Sequence, residues 1–211
     1  MGSARAREVV AEARRLLEEE GAESLTMRRL ADRLGIRAPS LYKHLPDKTA
    51  LEAAIIATGM EEAAVAFEAA VDGAEAGVGV GSGRAVGGIE AGVGSGRAAD
   101  IDEAGVEVAR EVGGAAGALQ ALAAAYRGFA LDHPHLYRLM HNGPLPRQHL
   151  PPGLEERTAA PLLRVAGSRA RARAVWAFAH GMVMLELDHR FPPDADLDAA
   201  WQAGIAAFRP A

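Results

Sequence analysis

The chain contains no cysteine. Disulfide staples, thiolate metal ligands and cysteine nucleophiles are therefore excluded, and the fold must stand on packing alone. Aromatic side chains fill only 5% of the 211 positions, so the core has to be built from alanine, leucine and valine. Close-packed helices use such residues better than sheets do. Neither G-x-S-x-G nor H-E-x-x-H occurs, and with no cysteine either, catalysis finds no support. A leader pattern and an apolar run of membrane length are also missing, which leads us to expect a cytoplasmic protein.

What is present is unevenly placed. The formal net charge is −5, yet residues 1–48 hold ten Lys and Arg against eight Asp and Glu, while the remainder hold thirteen against twenty. Within residues 26–48, TMRRLADRLGIRAPSLYKHLPDK, the cations Arg28, Arg29, Arg33, Arg37, Lys43 and Lys48 face only Asp32 and Asp47. A local positive patch in an acidic chain suits a polyanion, and the acidic remainder does not. Leu30, Ala31 and Leu34 make an apolar stripe at helical spacing, Thr26 is placed to cap it, and Gly35 is placed to end it. Ile36 would pin the turn. Pro39 suits a first helical turn, and Leu41 and Leu45 recur four apart on a buried face. Two helices joined by a glycine turn predict a helix-turn-helix. Its second helix leaves Arg37, Ser40, Tyr42, Lys43 and His44 outward, as donors to phosphates and base edges.

The stretch from Val9 to about Ile55 resembles the DNA-binding domain of the tetracycline-repressor (TetR) family of transcriptional regulators. The likeness lies in an opening helix ending EEEGAESLT, then MRRLADRLGI, then APSLYKHLPDK, then a long helix beginning TALEAAI. The resemblance implies that Arg28 reaches a base edge, that Pro39 and Ser40 open the recognition helix against bases, and that Tyr42, His44 and Lys48 bind phosphates. Arg37 and Lys43 join them as basic donors. Each assignment has a chemical reason: guanidinium pairs with guanine, proline packs on a thymine methyl, and a lysine at a helix N-terminus adds its charge to the dipole. Tyr42 could equally brace the turn with its ring, and His44 could be an ordinary surface histidine.

Around this domain the pattern predicts a first helix from Ala4 to Glu20 with Val9, Val10, Ala13, Leu16 and Leu17 on one face, closed by Gly21. A long helix after Asp47 carries Leu51, Ile55, Ile56, Met60 and Phe67 to about Val71, and so links two domains. Residues 73–117 hold 14 of the chain's 24 glycines, with AGVGVGSGRA at 76–85 recurring as AGVGSGRA at 91–98. Glycine is about 1 kcal/mol per residue worse than alanine in a helix, so this stretch reads as a flexible insertion, with a few helical turns at 99–112. It lacks the G-K-[ST] ending of a phosphate-binding loop. The expected organisation is therefore a DNA-binding domain at 1–48, a connecting helix at 49–72, the glycine-rich insertion at 73–117 and a helical domain at 118–211.

In that last domain, Leu119, Leu122, Ala123, Tyr126, Phe129 and Ala130 share a face until His133 and Pro134 stop the helix. Helices at 135–141, 154–165, 170–190 and 197–208 follow. The segments HPHLYRLM and WAFAHGMVMLEL resemble, more loosely, one subgroup of ligand-binding domains in the same family. Candidate cavity residues are Leu122, Tyr126, Phe129, Tyr137, Met140, Trp176, His180 and Met184, giving an apolar site with a few hydrogen-bonding groups. For each, ordinary core is the alternative. Trp201, Ile205 and Phe208 form a stripe on the final helix, and the last two helices are expected to pair with their symmetry mates in a four-helix homodimer interface. His133, His135, His141 and His149 lie close together, but not at the i, i+4 spacing of a helical zinc site, so no metal and no cofactor is expected.

The expectation is thus an all-α protein: a three-helix DNA-binding domain followed by a helical-bundle ligand-binding and dimerisation domain. It would act as a homodimeric one-component regulator, most simply a repressor, that binds a palindromic operator and releases it for a small-molecule effector. A helical dimerisation and ligand-binding protein with degenerate DNA binding is the alternative.

Overall fold

The computed structural model describes residues 4–80 and 103–208, with side chains described over 4–77 and 114–208. Among these residues every regular element is a helix: α1 (Ala4–Glu20), α2 (Met27–Arg33), α3 (Ala38–Leu41), α4 (Lys48–Val80), α5 (Glu103–Asp132), α6 (Pro134–His141), α7 (Leu154–Ala166), α8 (Arg169–Leu187) and α9 (Leu197–Ala206). No described helix is long and apolar enough to cross a membrane.

The amino-terminal helices form for the reasons the sequence supplies. The five residues of the expected face of α1, Val9, Val10, Ala13, Leu16 and Leu17, are buried, and Gly21 follows in a left-handed conformation, φ 80°, that a β-carbon would resist. The Thr26 hydroxyl accepts from the Arg29 N–H at 3.2 Å and caps α2, satisfying one of the donors that a helix start leaves open. At the other end Gly35 takes φ 63°, and the Ile36 N–H returns to the Ala31 carbonyl at 3.0 Å. The Asp47 carboxylate accepts from the Ala50 N–H at 2.8 Å, capping α4. The recognition segment is shorter as a helix than its pattern suggests: α3 closes at Leu41 and the chain turns on to Leu45, whose N–H still bonds the Leu41 carbonyl at 2.9 Å.

Residues 73–117 depart from the expected flexible insertion at both ends, because α4 runs on to Val80 and α5 begins at Glu103. The centre of the insertion, 81–102, including most of the repeat, lies outside the described residues. Glycine's helix penalty is a weak prior that tertiary packing overrides. Here α4 and α5 lie against each other, with Val71, Ala118 and Leu119 in one core and Ala74 packed on it.

Three apolar clusters organise the molecule. The first joins α1, α2, α3 and the start of α4. The largest gathers α4, α5, α6, α7, α8 and α9 around Phe67, Leu122, Tyr137 and Val183. A small one, Ile56, Ala57, Met60 and Leu154, sits between them. Trp201 and Ile205 are buried inside this larger core, and the Phe208 ring lies 5.9 Å from Phe178. The stripe expected to serve a dimer is therefore used within the protomer. What α8 and α9 leave exposed includes the small residues Ala174, Ala177, Ala199 and Ala203 and the larger Trp176 and Leu185.

Candidate nucleic-acid interface and ligand cavity

The six cations of the helix-turn-helix separate into two groups. Arg29 binds the Glu20 carboxylate through two nitrogens at 2.9 and 3.1 Å, and Arg33 spans Glu12 at 2.8 Å and Glu19 at 2.6 Å. These pairs tie α2 to α1. The same guanidiniums hold the Glu20 and Glu19 carboxyls below the usual carboxylate range. Arg28, Arg37 and Lys43 have no ion pair among the described residues, and Lys48 meets only Glu52, at 3.4 Å within its own helix. Arg28, Arg37, Pro39, Tyr42, Lys43, His44 and Lys48 are all exposed, and Ser40 is half-buried. Tyr42 is 50% exposed, too open to be the brace of the turn, a task that falls to Leu41 and Leu45. Cations without partners beside an exposed helix start make a face suited to a phosphate backbone.

The second feature is a cavity of about 500 Å³ within the larger core. Its walls are apolar: Met60, Ala63 and Phe67 from α4, Leu119, Leu122 and Phe129 from α5, Leu162 from α7 and Val175 from α8. Its polar groups gather at one end. The hydroxyls of Tyr126 and Tyr137 lie 2.7 Å apart, and the Tyr137 hydroxyl lies 2.7 Å from Nδ1 of His180. His141 stacks on His180 with ring centres 4.9 Å apart, and its Nδ1 bonds the Tyr137 carbonyl at 2.8 Å. Since a carbonyl only accepts, Nδ1 of His141 carries the proton and Nε2 is the bare lone pair. Burial pushes the Tyr126 hydroxyl up to about 12 and the Tyr137 hydroxyl higher still. It pulls both imidazoles below the ordinary histidine value, His141 further helped down by His180. Two neutral phenols and two neutral imidazoles therefore close this end. At the rim, Arg147 and Glu155 form a two-pronged ion pair, both contacts 2.8 Å.

Helix α6 joins the two features. Tyr137, Met140 and His141 line the cavity, whereas Leu136, fully buried, belongs to the core of the amino-terminal helices. Its N–H points to Glu18 of α1 at 3.3 Å, and the ring of His135 lies against Gly21. On the remaining side α6 meets α4 at Gly59, where an added β-carbon would stand 2.9 Å from Met140 Sδ and 3.0 Å from Leu136 Cδ2.

The family model described as "Bacterial regulatory proteins, tetR family" matches residues 9–55, and "Tetracyclin repressor-like, C-terminal domain" matches residues 119–208. The chain belongs to the TetR family. The tetracycline repressor protein class C of Escherichia coli is 51% identical over 43 residues, a fifth of each chain, so the likeness to that curated relative spans about a fifth of its length. Among solved structures, a protein of unknown function from Rhodococcus sp. RHA1 is 22% identical with TM-score 0.65, covering 98% of this chain and 93% of its own. A TetR variant from Acinetobacter baumannii in complex with minocycline is 21% identical with TM-score 0.57, over 96% and 97%. A possible TetR-family regulator from Streptomyces coelicolor A3(2) is 19% identical with TM-score 0.55, over 96% of both chains. At these identities the structures speak for the fold.

TetR-family proteins are DNA-binding regulators, not enzymes. Seven of the eight residues picked out for a cavity, Leu122, Tyr126, Phe129, Tyr137, Met140, Trp176 and His180, do line one. Met184 does not. One turn beyond His180, α8 has left the cavity, and Met184 packs on the core beside Leu187. The sequence reading missed the α4 wall, although Met60, Ala63 and Phe67 already stand at i, i+3 and i+7, because that helix was taken only as a connector. It also missed His141, whose place emerges only when α8 lays His180 beside it. His133 instead faces Glu18 at 3.9 Å, and no group of three or more metal-binding side chains is assembled among the described residues.

Proposed function

We propose that the protein is a homodimeric, cytoplasmic repressor that binds a palindromic operator through Arg28, Arg37, Pro39, Ser40, Tyr42, Lys43, His44 and Lys48, and that releases it when a small molecule fills the cavity. The observation that carries this reading is α6. One short helix supplies three cavity residues and, through Leu136, a core residue of the DNA-binding helices. A ligand that prefers one position of α6 shifts where α1 and α4 sit, and with them the recognition segment. The effector must bind the released state more tightly, or nothing shifts. The exposed side of α8 and α9 is the surface on which two copies would pair, setting the recognition segments about 34 Å apart, one turn of duplex.

Fluorescence anisotropy with DNA from beside the protein's own gene tests this. Lys48→Ala should weaken binding to every sequence and lower the salt slope by about one ion. Arg28→Ala should relax preference at one base position, at about 1–3 kcal/mol. A strictly monomeric protein, or unchanged affinity in both variants, would overturn the proposal.

A further inference from the structure

The polar end of the cavity restricts what the effector can be. A cationic ligand finds no counter-charge there, because Glu155, the one carboxylate in the lining, is already held by Arg147 at the rim. The groups that face His141 are Tyr137 on its own helix, Tyr126 from α5, His180 from α8, and the Arg147–Glu155 pair from the loop before α7 and from α7; α4 contributes only apolar side chains. The bond from His141 Nδ1–H to the Tyr137 carbonyl fixes its tautomer and leaves Nε2 as an acceptor with no partner among the described residues. It is not sealed in the core, since among the described residues no buried side-chain nitrogen or oxygen lacks a partner. An acceptor in a mostly apolar site is satisfied either by a ligand that donates to it or by a proton that an anionic ligand draws onto it from solvent.

We propose that the effector is an apolar monocarboxylic acid whose head group bridges the exposed edges of the stacked His141 and His180 rings, with its tail along Phe67, Leu122 and Phe129. This deepens the regulatory reading and rests on it. At neutral pH the free ligand is a carboxylate and the free imidazoles are neutral. Binding therefore takes one proton from solvent onto Nε2 of His141, which then donates to one carboxylate oxygen. The imidazolium keeps its Nδ1–H bond to the Tyr137 carbonyl, so no other group has to move. His180, stacked at 4.9 Å, stays neutral because a second like charge at that distance is disfavoured, and it offers a hydrogen bond to the other oxygen. A neutral alcohol gains the hydrogen bond but not the ion pair.

Calorimetry on the full chain without DNA provides the test, using decanoic acid, decan-1-ol and decylamine, and 2-naphthoic acid with 2-naphthalenemethanol for a flatter shape. In at least one shape the acid should bind at least tenfold more tightly than its alcohol at pH 6.5. Heats in buffers of different ionisation enthalpy should reveal uptake of about one proton per protomer. The dissociation constant should rise about tenfold per pH unit between the imidazole pKa of the free protein and that of the complex, and level off above the latter. His141→Gln, checked for folding by its melting curve, should abolish the proton uptake and most of the preference for acid. Equal or tighter binding of the alcohol or amine, an acid bound without proton uptake, or no binding of any probe would overturn the inference. The wild-type heats decide it even if His141→Gln does not fold. An acid that binds as described but leaves operator anisotropy unchanged would instead count against the regulatory reading.

Discussion

Gly204 on α9 sets a quantitative test of the packing. A β-carbon there would fall inside the ring of Phe178 on α8, with Cε1 at 2.8 Å and two further ring atoms nearer. Real β-carbons do not approach so closely, so the ring must leave. It cannot swing freely, since Trp201 lies edge-on at 5.7 Å and Phe208 at 5.9 Å. Overpacking of this kind costs about 1–3 kcal/mol, and displacing the ring forfeits aromatic contacts worth about 0.5–1.5 kcal/mol each. Against this, alanine improves on glycine in a helix by about 1 kcal/mol. Gly204→Ala should therefore destabilise the protein by about 1–5 kcal/mol.

The identical change at Gly117 supplies the control. It is an exposed position inside α5 with nothing within 4 Å of the added carbon. There only the helix term and the smaller unfolded-state entropy operate, so Gly117→Ala should stabilise by about 0.5–1 kcal/mol. Urea titrations at one fixed protein concentration, because dimerisation would make stability concentration-dependent, should place the two midpoints on opposite sides of wild type. Thermal melts should separate in the same sense by about 2–4 °C per kcal/mol. If Gly204→Ala proved as stable as Gly117→Ala, the contact between α8 and α9 would be wrong.

Stability should also depend on pH through His141 and His180. Both are depressed in the folded state, so the unfolded chain binds the protons first as pH falls. Stability is complete above the ordinary histidine value of about 6.5 and declines below it; melting between pH 7.5 and 5 should show the loss, reduced in a His141→Gln variant. Leu136→Ala removes a fully buried side chain and should destabilise by about 2–5 kcal/mol, while effector binding in the cavity should survive and its influence on DNA affinity should shrink. Arg33→Ala breaks the ties between α2 and α1, but its partners are partly solvated, so denaturation should report little loss and salt slopes of DNA binding should hardly change.

The parts of this fold that the sequence makes legible are those fixed by short-range physics. The α1 stripe, the Thr26 cap and the left-handed Gly35 depend on neighbours within a few residues, and each is where the pattern puts it. What escaped the pattern depends on partners distant along the chain. Glycine content argues against helix at 73–80 and allows only a few turns at 99–112, but α4 and α5 support each other across the bundle. Likewise Trp201 and Ile205 read as a surface stripe seeking a partner; only the position of α8 decides that the partner is internal. Arg29 and Arg33 resemble their basic neighbours until α1 brings Glu20, Glu19 and Glu12 to them. Cavities are the extreme case, since an empty volume has no residue of its own.

The size of α6 bears on how little motion the proposed switch requires. At eight residues it is below the roughly 12–15 at which an isolated helix is even marginal in water, so its position is set by the two cores that hold it. An effector coupling of about 1–3 kcal/mol changes DNA affinity by about 5–150-fold, and each methylene withdrawn from an apolar core is worth about 0.8 kcal/mol. Repacking part of Leu136, with one contact at the cavity end, would supply that coupling without unfolding either domain. The 2.9 Å separation between an imagined Gly59 β-carbon and Met140 Sδ marks the place where α6 has no slack against α4. A shift of α6 toward α4 must therefore be passed on or taken up by Met140 and Leu136, because Gly59 has no side chain of its own to yield. Gly59→Ala would fill that contact in advance, so it should change operator affinity in the absence of effector and reduce the further change that effector produces. An unaltered response to effector in a folded Gly59→Ala variant would remove α6 from the path between the cavity and the DNA.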